Sequence, residues 1–143
     1  MVKFGNLLQK SLFLVRIAKY NYLFLEYDNL EVFSADPPTG SNISLSLTEI
    51  AITYKVPVTK SSNKISIYEN VAGRSVFRQI IPPESMSYSD DQKTVRINVL
   101  PCTFNNPNSD YYITIEDDAI QNSETNQPLI GIDKNIWNLH TGK

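Results

Sequence analysis

The sequence is poor in the side chains that carry most covalent enzyme chemistry. Its 143 residues include one cysteine, Cys102, and one histidine, His140, so an internal disulfide is excluded. A catalytic nucleophile needs a base beside it, and nothing in the sequence places these two residues together. We therefore expect no enzyme activity and no cofactor. We expect Cys102, after Pro101 at a strand end, to be a small buried or half-buried apolar side chain, and His140 to face solvent.

Long apolar runs and basic clusters are also missing. A transmembrane helix needs roughly 20 apolar residues, and Lys10, Arg16 and Lys19 interrupt the apolar N-terminal segment. A cleavable signal peptide needs an apolar region of roughly 7–15 residues followed by small residues, and neither condition is met cleanly. The 13 Lys and Arg are outnumbered by 15 Asp and Glu. Without a basic cluster, nucleic acid is not an expected partner.

Residues 1–29 differ in pattern from the rest and are interpreted as an N-terminal extension. Apolar residues recur there at helical spacing, at Phe4, Leu7, Leu8, Leu12 and Val15. Three alternatives stay open for this extension: a marginal helix or loosely docked segment, a degraded signal or membrane-surface helix, and a start that is not native to the domain.

Residues 30–142 are predicted to form one all-β domain. Short runs of alternating apolar and polar residues, separated by Pro, Gly, Asn and Ser, are typical of short strands and turns. Residues 43–47 alternate strictly, and residues 94–100 form the cleanest run. About seven such strands predict an antiparallel β-sandwich.

The last two predicted strands, residues 110–116 and 135–141, form a hairpin with an 18-residue connection. That connection either folds on itself, with a short strand at residues 128–131, or meets a partner. Inward-facing positions of this hairpin and of the earlier strands predict the core. The expected core anchors are Tyr54, Val95, Ile97, Tyr111, Ile113, Ile115, Trp137 and Leu139.

Four phrases of the sequence carry a family resemblance. They are Pro37-Pro38-Thr39-Gly40, the strand at residues 50–58, Tyr111-Tyr-Ile-Thr-Ile115 and Trp137-Asn-Leu-His-Thr141. In this order they resemble the S-layer-type (SbsA-like) bacterial Ig-like domain, which also occurs in fungal proteins. The resemblance covers residues 30–142, and the loop at residues 119–128 lacks the family's Gly-Asn phrase.

The resemblance implies an Ig-like sandwich that serves as a structural or adhesion module of a cell-surface or secreted protein. It implies no shared catalytic residues, and partners that are other protein modules or a cell-wall polymer. A second hypothesis is a glycan- or peptide-binding module that uses a sheet edge or the end loops. Tyr68 and Tyr112, on the outward parity of their strands, are the aromatic residues that such binding would use.

Two further groups are candidates for a site. Glu116, Asp117 and Asp118 form the densest acidic group, which is either a solvated strand end or a weak calcium candidate, although its spacing is not that of an EF-hand. Asn42, in Asn42-Ile43-Ser44, is the one glycosylation acceptor pattern and matters only in a secretory context.

Overall fold

The computed structural model describes residues 26–143, so the expectation of a helix in the N-terminal extension lies outside the described residues. Eleven strands and one 3-10 turn, Pro83–Ser85, occupy the described part. The strands are β1 (Val32–Asp36), β2 (Ser41–Ile43), β3 (Glu49–Tyr54), β4 (Val58–Lys60), β5 (Ile65–Val71), β6 (Arg74–Ile80), β7 (Met86–Tyr88), β8 (Thr94–Asn98), β9 (Asp110–Ile115), β10 (Ile120–Asn122) and β11 (Ile132–Thr141).

These strands form an all-β sandwich, which confirms the predicted fold class. A four-stranded sheet has the order β1-β3-β8-β7, and a five-stranded sheet has the order β2-β11-β9-β5-β6. Strands β10 and β4 make a separate two-stranded pair. Within residues 26–143 every strand pair is antiparallel except β2 with β11, which run parallel. No helix in the described part is long and apolar enough to cross a bilayer.

The core fills the space between the two large sheets, because alternate residues of each strand point inward. All eight expected core anchors are buried, and Trp137, Val95, Ile97 and Ile113 are completely inaccessible to solvent. In the cleanest predicted strand, Arg96 and Asn98 are exposed between buried neighbours. The alternation of apolar and polar residues in the sequence therefore matches the alternation of buried and exposed side chains in the sheet.

The packing of the sandwich extends to residues before the predicted boundary at residue 30. Tyr27 is 3% exposed and meets the Trp137 ring edge-on, with 6.4 Å between ring centroids. Its hydroxyl accepts a hydrogen bond from the Thr39 backbone N–H at 3.0 Å. Buried Asn29 donates from Nδ2 to the Ile130 carbonyl at 2.6 Å. These two residues belong to the packed domain.

Some predicted strand positions were wrong. Residues 44–47 do not continue a strand: the Leu47 N–H donates to the Ser44 carbonyl, and the hydroxyls of Ser44 and Ser46 are 2.8 Å apart. Serine side chains that bond locally offer the backbone an alternative to the ladder. Strand β7, only three residues long, was not predicted.

The long connection at residues 117–134 folds on itself, which is the first of the two alternatives. Its strand lies at Ile120–Asn122, paired with β4, and residues 128–131 contribute a single bridge between Pro128 and Gln121. Ile120 is 1% exposed. The connection therefore adds apolar side chains to the core.

A hydrogen-bond network closes one end of the sandwich around Asn106. The Tyr111 hydroxyl accepts from the Asn106 backbone N–H at 3.1 Å, and the Thr141 hydroxyl donates to the Asn106 carbonyl at 2.6 Å. The Asn106 side chain donates to both oxygens of Glu69, at 3.0 and 2.8 Å. Burial raises the pKa of the Tyr111 phenol. These bonds fix the loop before β9 to β5 and β11.

We expect Tyr111→Phe to lower the free energy of unfolding by about 1–3 kcal/mol, because it leaves the Asn106 N–H without its acceptor. The measurement is urea unfolding. The matched control is Tyr68→Phe, since no hydrogen bond of the Tyr68 hydroxyl occurs in the described part. That variant should change stability by less than about 0.5 kcal/mol. Equal effects of the two variants would show that the Tyr111 hydroxyl does not anchor the loop.

Candidate functional site

An aromatic row crosses the outer face of the five-stranded sheet, the face turned away from the four-stranded sheet. Tyr68 pairs with Phe77 of β6 on one side and with Tyr112 of β9 on the other. The rings of Tyr68 and Tyr112 are stacked at 5.2 Å, and Phe77 meets Tyr68 edge-on at 5.9 Å. Phe77 is 53% exposed and Tyr112 only 3%. Accessible aromatic surface therefore increases toward β6.

A polar row runs beside the aromatic one. Asn70, Asp110 and His140 are cross-strand neighbours, and His140 Nδ1 lies 2.7 Å from Asp110 Oδ1. Asn42, the glycosylation candidate, pairs with His140 and is exposed. His140 is half-buried on this outer face.

Strand β11 bulges opposite β9. Ile132 pairs with Ile115 and Trp137 with Ile113, so residues 133–136 lie opposite a single residue of β9. The chain accommodates the extra residues through Asn135, whose φ is 66°, a conformation that Asn tolerates better than most residues. The bulge places Lys134 Nζ 5.6 Å above the Tyr112 ring.

The bulge, the aromatic row and the polar row border a shallow depression of about 320 Å³. We call it the amide depression, and it is lined by Asn70, Asp110, Tyr111, Tyr112, Asn135 and Asn138. Sequence reasoning missed its three asparagines. Asn70 of β5 is 65 residues before Asn135 and 68 before Asn138, which both belong to β11. Only the sheet register brings Asn70 close to the other two.

Strand β6 is an edge of the five-stranded sheet, paired only with β5 among the described strands. Its exposed apolar side chains are Val76, Phe77 and Ile80, at 41, 53 and 44%. We call these three residues and their backbone the β6 edge. Simple alternation does not give the direction of the Phe77 side chain, because β6 contains an irregularity that skips Arg78.

Arg78 turns away from solvent into the loop that follows β8. Its Nε donates to the Thr103 carbonyl at 3.0 Å and its Nη2 to Asn105 Oδ1 at 2.7 Å, while Nη1 lies 3.5 Å from Glu69 Oε2. Because these bonds hold the guanidinium against that loop, Arg78 does not present its charge along the strand edge, and the exposed charge of β6 is Arg74 at its start.

The sequence matches no protein-family model and no curated protein. The candidate site is therefore interpreted from its own geometry.

The three acidic candidates are not gathered around a cation position. Glu116 Oε2 accepts from the Lys64 N–H at 3.1 Å, and Asp117 Oδ1 accepts from the Gly131 N–H at 2.7 Å. Asp118 is exposed in a turn, with φ at 67°. Across residues 26–143, no three His, Cys, Asp or Glu side chains are arranged to hold a metal ion. Glu116 and Asp117 stabilise the ends of β5 and β11.

Cys102 is exposed, so the expectation of a buried or half-buried thiol was wrong. It lies in the loop after β8, whose backbone is held by Arg78: Nη2 donates to the Cys102 carbonyl. This bond holds the backbone of the loop at the Cys102 carbonyl, while the Cys102 side chain is exposed to solvent. In the described part of the chain, the hydrogen-bond partner of His140 is Asp110, and no thiol or hydroxyl bonds to that histidine.

Proposed function

We propose that residues 30–142 form a non-enzymatic Ig-like structural and adhesion module, of the S-layer-type family that the sequence resembles. The strand orders support this. Ig domains place strands A, B, E and D in one sheet and G, F and C in the other, with C′ added beside C in variable-type domains. The order β1-β3-β8-β7 corresponds to A, B, E and D. The order β11-β9-β5-β6 corresponds to G, F, C and C′.

The position and hydrogen bond of Tyr111 also support an Ig-like module. Ig domains have a tyrosine near the start of strand F, two residues before a cysteine, whose hydroxyl bonds to backbone a few residues upstream. Tyr111 is the second residue of β9, and its hydroxyl bonds to the N–H of Asn106, five residues upstream. Ile113, at the cysteine position, is completely buried. Apolar packing thus takes the place of the disulfide.

The observation that carries the adhesive role is the β6 edge. An unpaired strand with exposed apolar side chains is a template for another strand, and edge strands that avoid pairing display charges. Here Val76, Phe77 and Ile80 are exposed, Arg78 is bonded to the loop after β8, and the exposed charge of the strand is confined to Arg74 at its start. A partner strand that adds to β6 would gain main-chain hydrogen bonds and cover these side chains. The proposed partner is a protein module, because a polysaccharide has no matching backbone.

The proposed location is outside the cell, as part of a secreted or cell-surface protein. The family resemblance supports it, and the exposed acceptor Asn42 is compatible with it. N-terminal sequencing of secreted and cytosolic fractions tests this location. Finding the chain in the cytosolic fraction alone would contradict it.

The adhesive role predicts a loss of binding on Phe77→Lys. Beads coated with the wild-type chain should adhere to cells of the source organism, and a lysine at the centre of the β6 edge should reduce adhesion about tenfold or more, because the ammonium would have to be desolvated on pairing. Phe33→Lys is the matched control: Phe33 is 71% exposed in β1, an edge strand of the other sheet. Adhesion that survives Phe77→Lys, or that Phe33→Lys reduces equally, contradicts a role of β6.

A further inference from the structure

The amide depression collects polar groups from strands that are distant in sequence. Asn70 lies beside Asp110 because β5 and β9 pair at these residues. Asn138 of β11 pairs with Tyr112 of β9. Asn135 comes from the β11 bulge. Bulges often occur next to functional sites, where they redirect side chains. Without the extra residues of this bulge, the depression would lack one of its walls.

Existing hydrogen bonds orient these polar groups and leave capacity for a ligand. The Gly73 N–H donates to Asn70 Oδ1 at 3.0 Å, which directs the Asn70 amide nitrogen elsewhere. Asn138 donates from Nδ2 to the Asn135 carbonyl at 3.0 Å, which leaves its Oδ1. Asp110 uses Oδ1 for His140 and keeps Oδ2. Among residues 26–143, these remaining atoms have no other hydrogen-bond partner.

We propose that the amide depression binds one sugar unit at the end of a neutral glycan. Each hydroxyl of a sugar both donates and accepts, so recognition requires amide N–H donors together with amide and carboxylate acceptors. The depression supplies these through Asn70, Asn138 and Asp110. The Asp110 carboxylate disfavours an anionic ligand in this position, and an apolar ligand would leave the polar atoms of Asn70, Asn138 and Asp110 without hydrogen-bond partners.

The size of the depression limits the ligand to a small one. Its volume of about 320 Å³ is near the lower end of the range for small-molecule sites, about 300–1,000 Å³. It is open to solvent on the outer face, so a glycan chain can continue from the bound unit into solvent. This site is independent of the β6 edge, and the module can therefore bind a sugar whether or not β6 binds a protein strand.

The test is binding of the whole chain to a panel of immobilised neutral mono- and oligosaccharides, followed by calorimetry with the sugars that bind. We expect Asp110→Ala and Asn70→Ala each to weaken binding about tenfold or more, since each removes a polar group that hydrogen-bonds the sugar. Asp90→Ala is the matched control, because it removes the same charge from an exposed turn between β7 and β8. It should bind like the wild type.

The outcomes separate this site from the other proposals. No binding to any neutral sugar, or unchanged binding by both Asp110→Ala and Asn70→Ala, overturns the inference. Binding restricted to acidic sugars and lost in Lys134→Ala also overturns it. Phe77→Lys should keep full sugar affinity, which distinguishes failure of this site from failure of the β6 edge. Thermal unfolding of each variant checks that the fold is intact, and Asn138→Ala provides a second test if Asp110→Ala unfolds.

Discussion

Replacing Trp137 with alanine is expected to lower the free energy of unfolding by about 3–5 kcal/mol, the range for a large aromatic side chain removed from a core. Trp137 is completely buried, and its indole Nε1 donates to the Pro37 carbonyl at 2.9 Å. The substitution removes this bond, the edge contact with Tyr27 and the packing between the sheets. Small domains have about 5–15 kcal/mol of stability in total. The expected cost is therefore between about a fifth and all of the domain's stability.

Urea unfolding of the variant measures this cost, with Phe33→Ala as the control. Phe33 is 71% exposed, and its removal should cost less than about 0.5 kcal/mol. Trp137→Phe separates the two contributions of the indole, since it keeps an aromatic ring but leaves the Pro37 carbonyl without its donor, at a cost of about 1–3 kcal/mol. A loss below about 1 kcal/mol for Trp137→Ala would place the side chain outside the core.

Replacing Gly131 with alanine should be at least as severe. A methyl group at this position would lie 1.8 Å from the Ile115 carbonyl oxygen and 2.7 Å from the Glu116 carbonyl carbon. Both atoms are backbone, so relief requires the two chain segments to separate. That would strain the pairing of Ile132 with Ile115 and the hydrogen bond from the Gly131 N–H to Asp117. We expect a cost above about 3 kcal/mol, beyond ordinary overpacking.

Gly142→Ala is the matched control for Gly131→Ala, since a methyl group at residue 142 meets nothing within 4 Å. It should change the unfolding midpoint in urea only slightly. Near-wild-type stability of Gly131→Ala would mean that the end of β9 and the start of β11 are farther apart in solution than in the structure.

The regular part of the sandwich could be predicted because apolar and polar residues alternate along its strands. In β8, Val95 and Ile97 are buried and Arg96 between them is exposed, so the period of two appears directly in the sequence. The same period identified Tyr111, Ile113 and Ile115. Where the alternation of apolar and polar residues alone determined which side chains are buried, the prediction and the structure agree.

Prediction failed where a second interaction overrode the alternation. Residues 44–47 alternate, but serine side chains bond locally and end β2 early. Cys102 is apolar, yet the loop is anchored through its backbone by Arg78, so its side chain stays outside. The exposure of the β6 edge also depends on the hydrogen bonds of Arg78. These join residues that are 24 to 27 positions apart in the sequence.

The two proposed binding sites were the least predictable part. The amide depression needs Asn70, Asp110 and Asn138 to become neighbours, and their relative positions depend on the register of three strands. The β11 bulge changes that register by several residues. Asparagine is common in turns, so nothing marked Asn70, Asn135 or Asn138 as members of one site. The outward parity of Tyr68 and Tyr112 was the one part of this surface that the pattern indicated.

The parallel pairing of β2 with β11 has a mechanical consequence. Tension that enters the chain ahead of β2 and leaves it beyond β11 pulls these two neighbours in opposite directions along their length. The ladder bonds between residues 41–43 and 139–141 then share the load and must rupture together, unlike a hairpin that opens one bond at a time. A module connected in this way resists stretching, which suits a chain that transmits force between two attachment points.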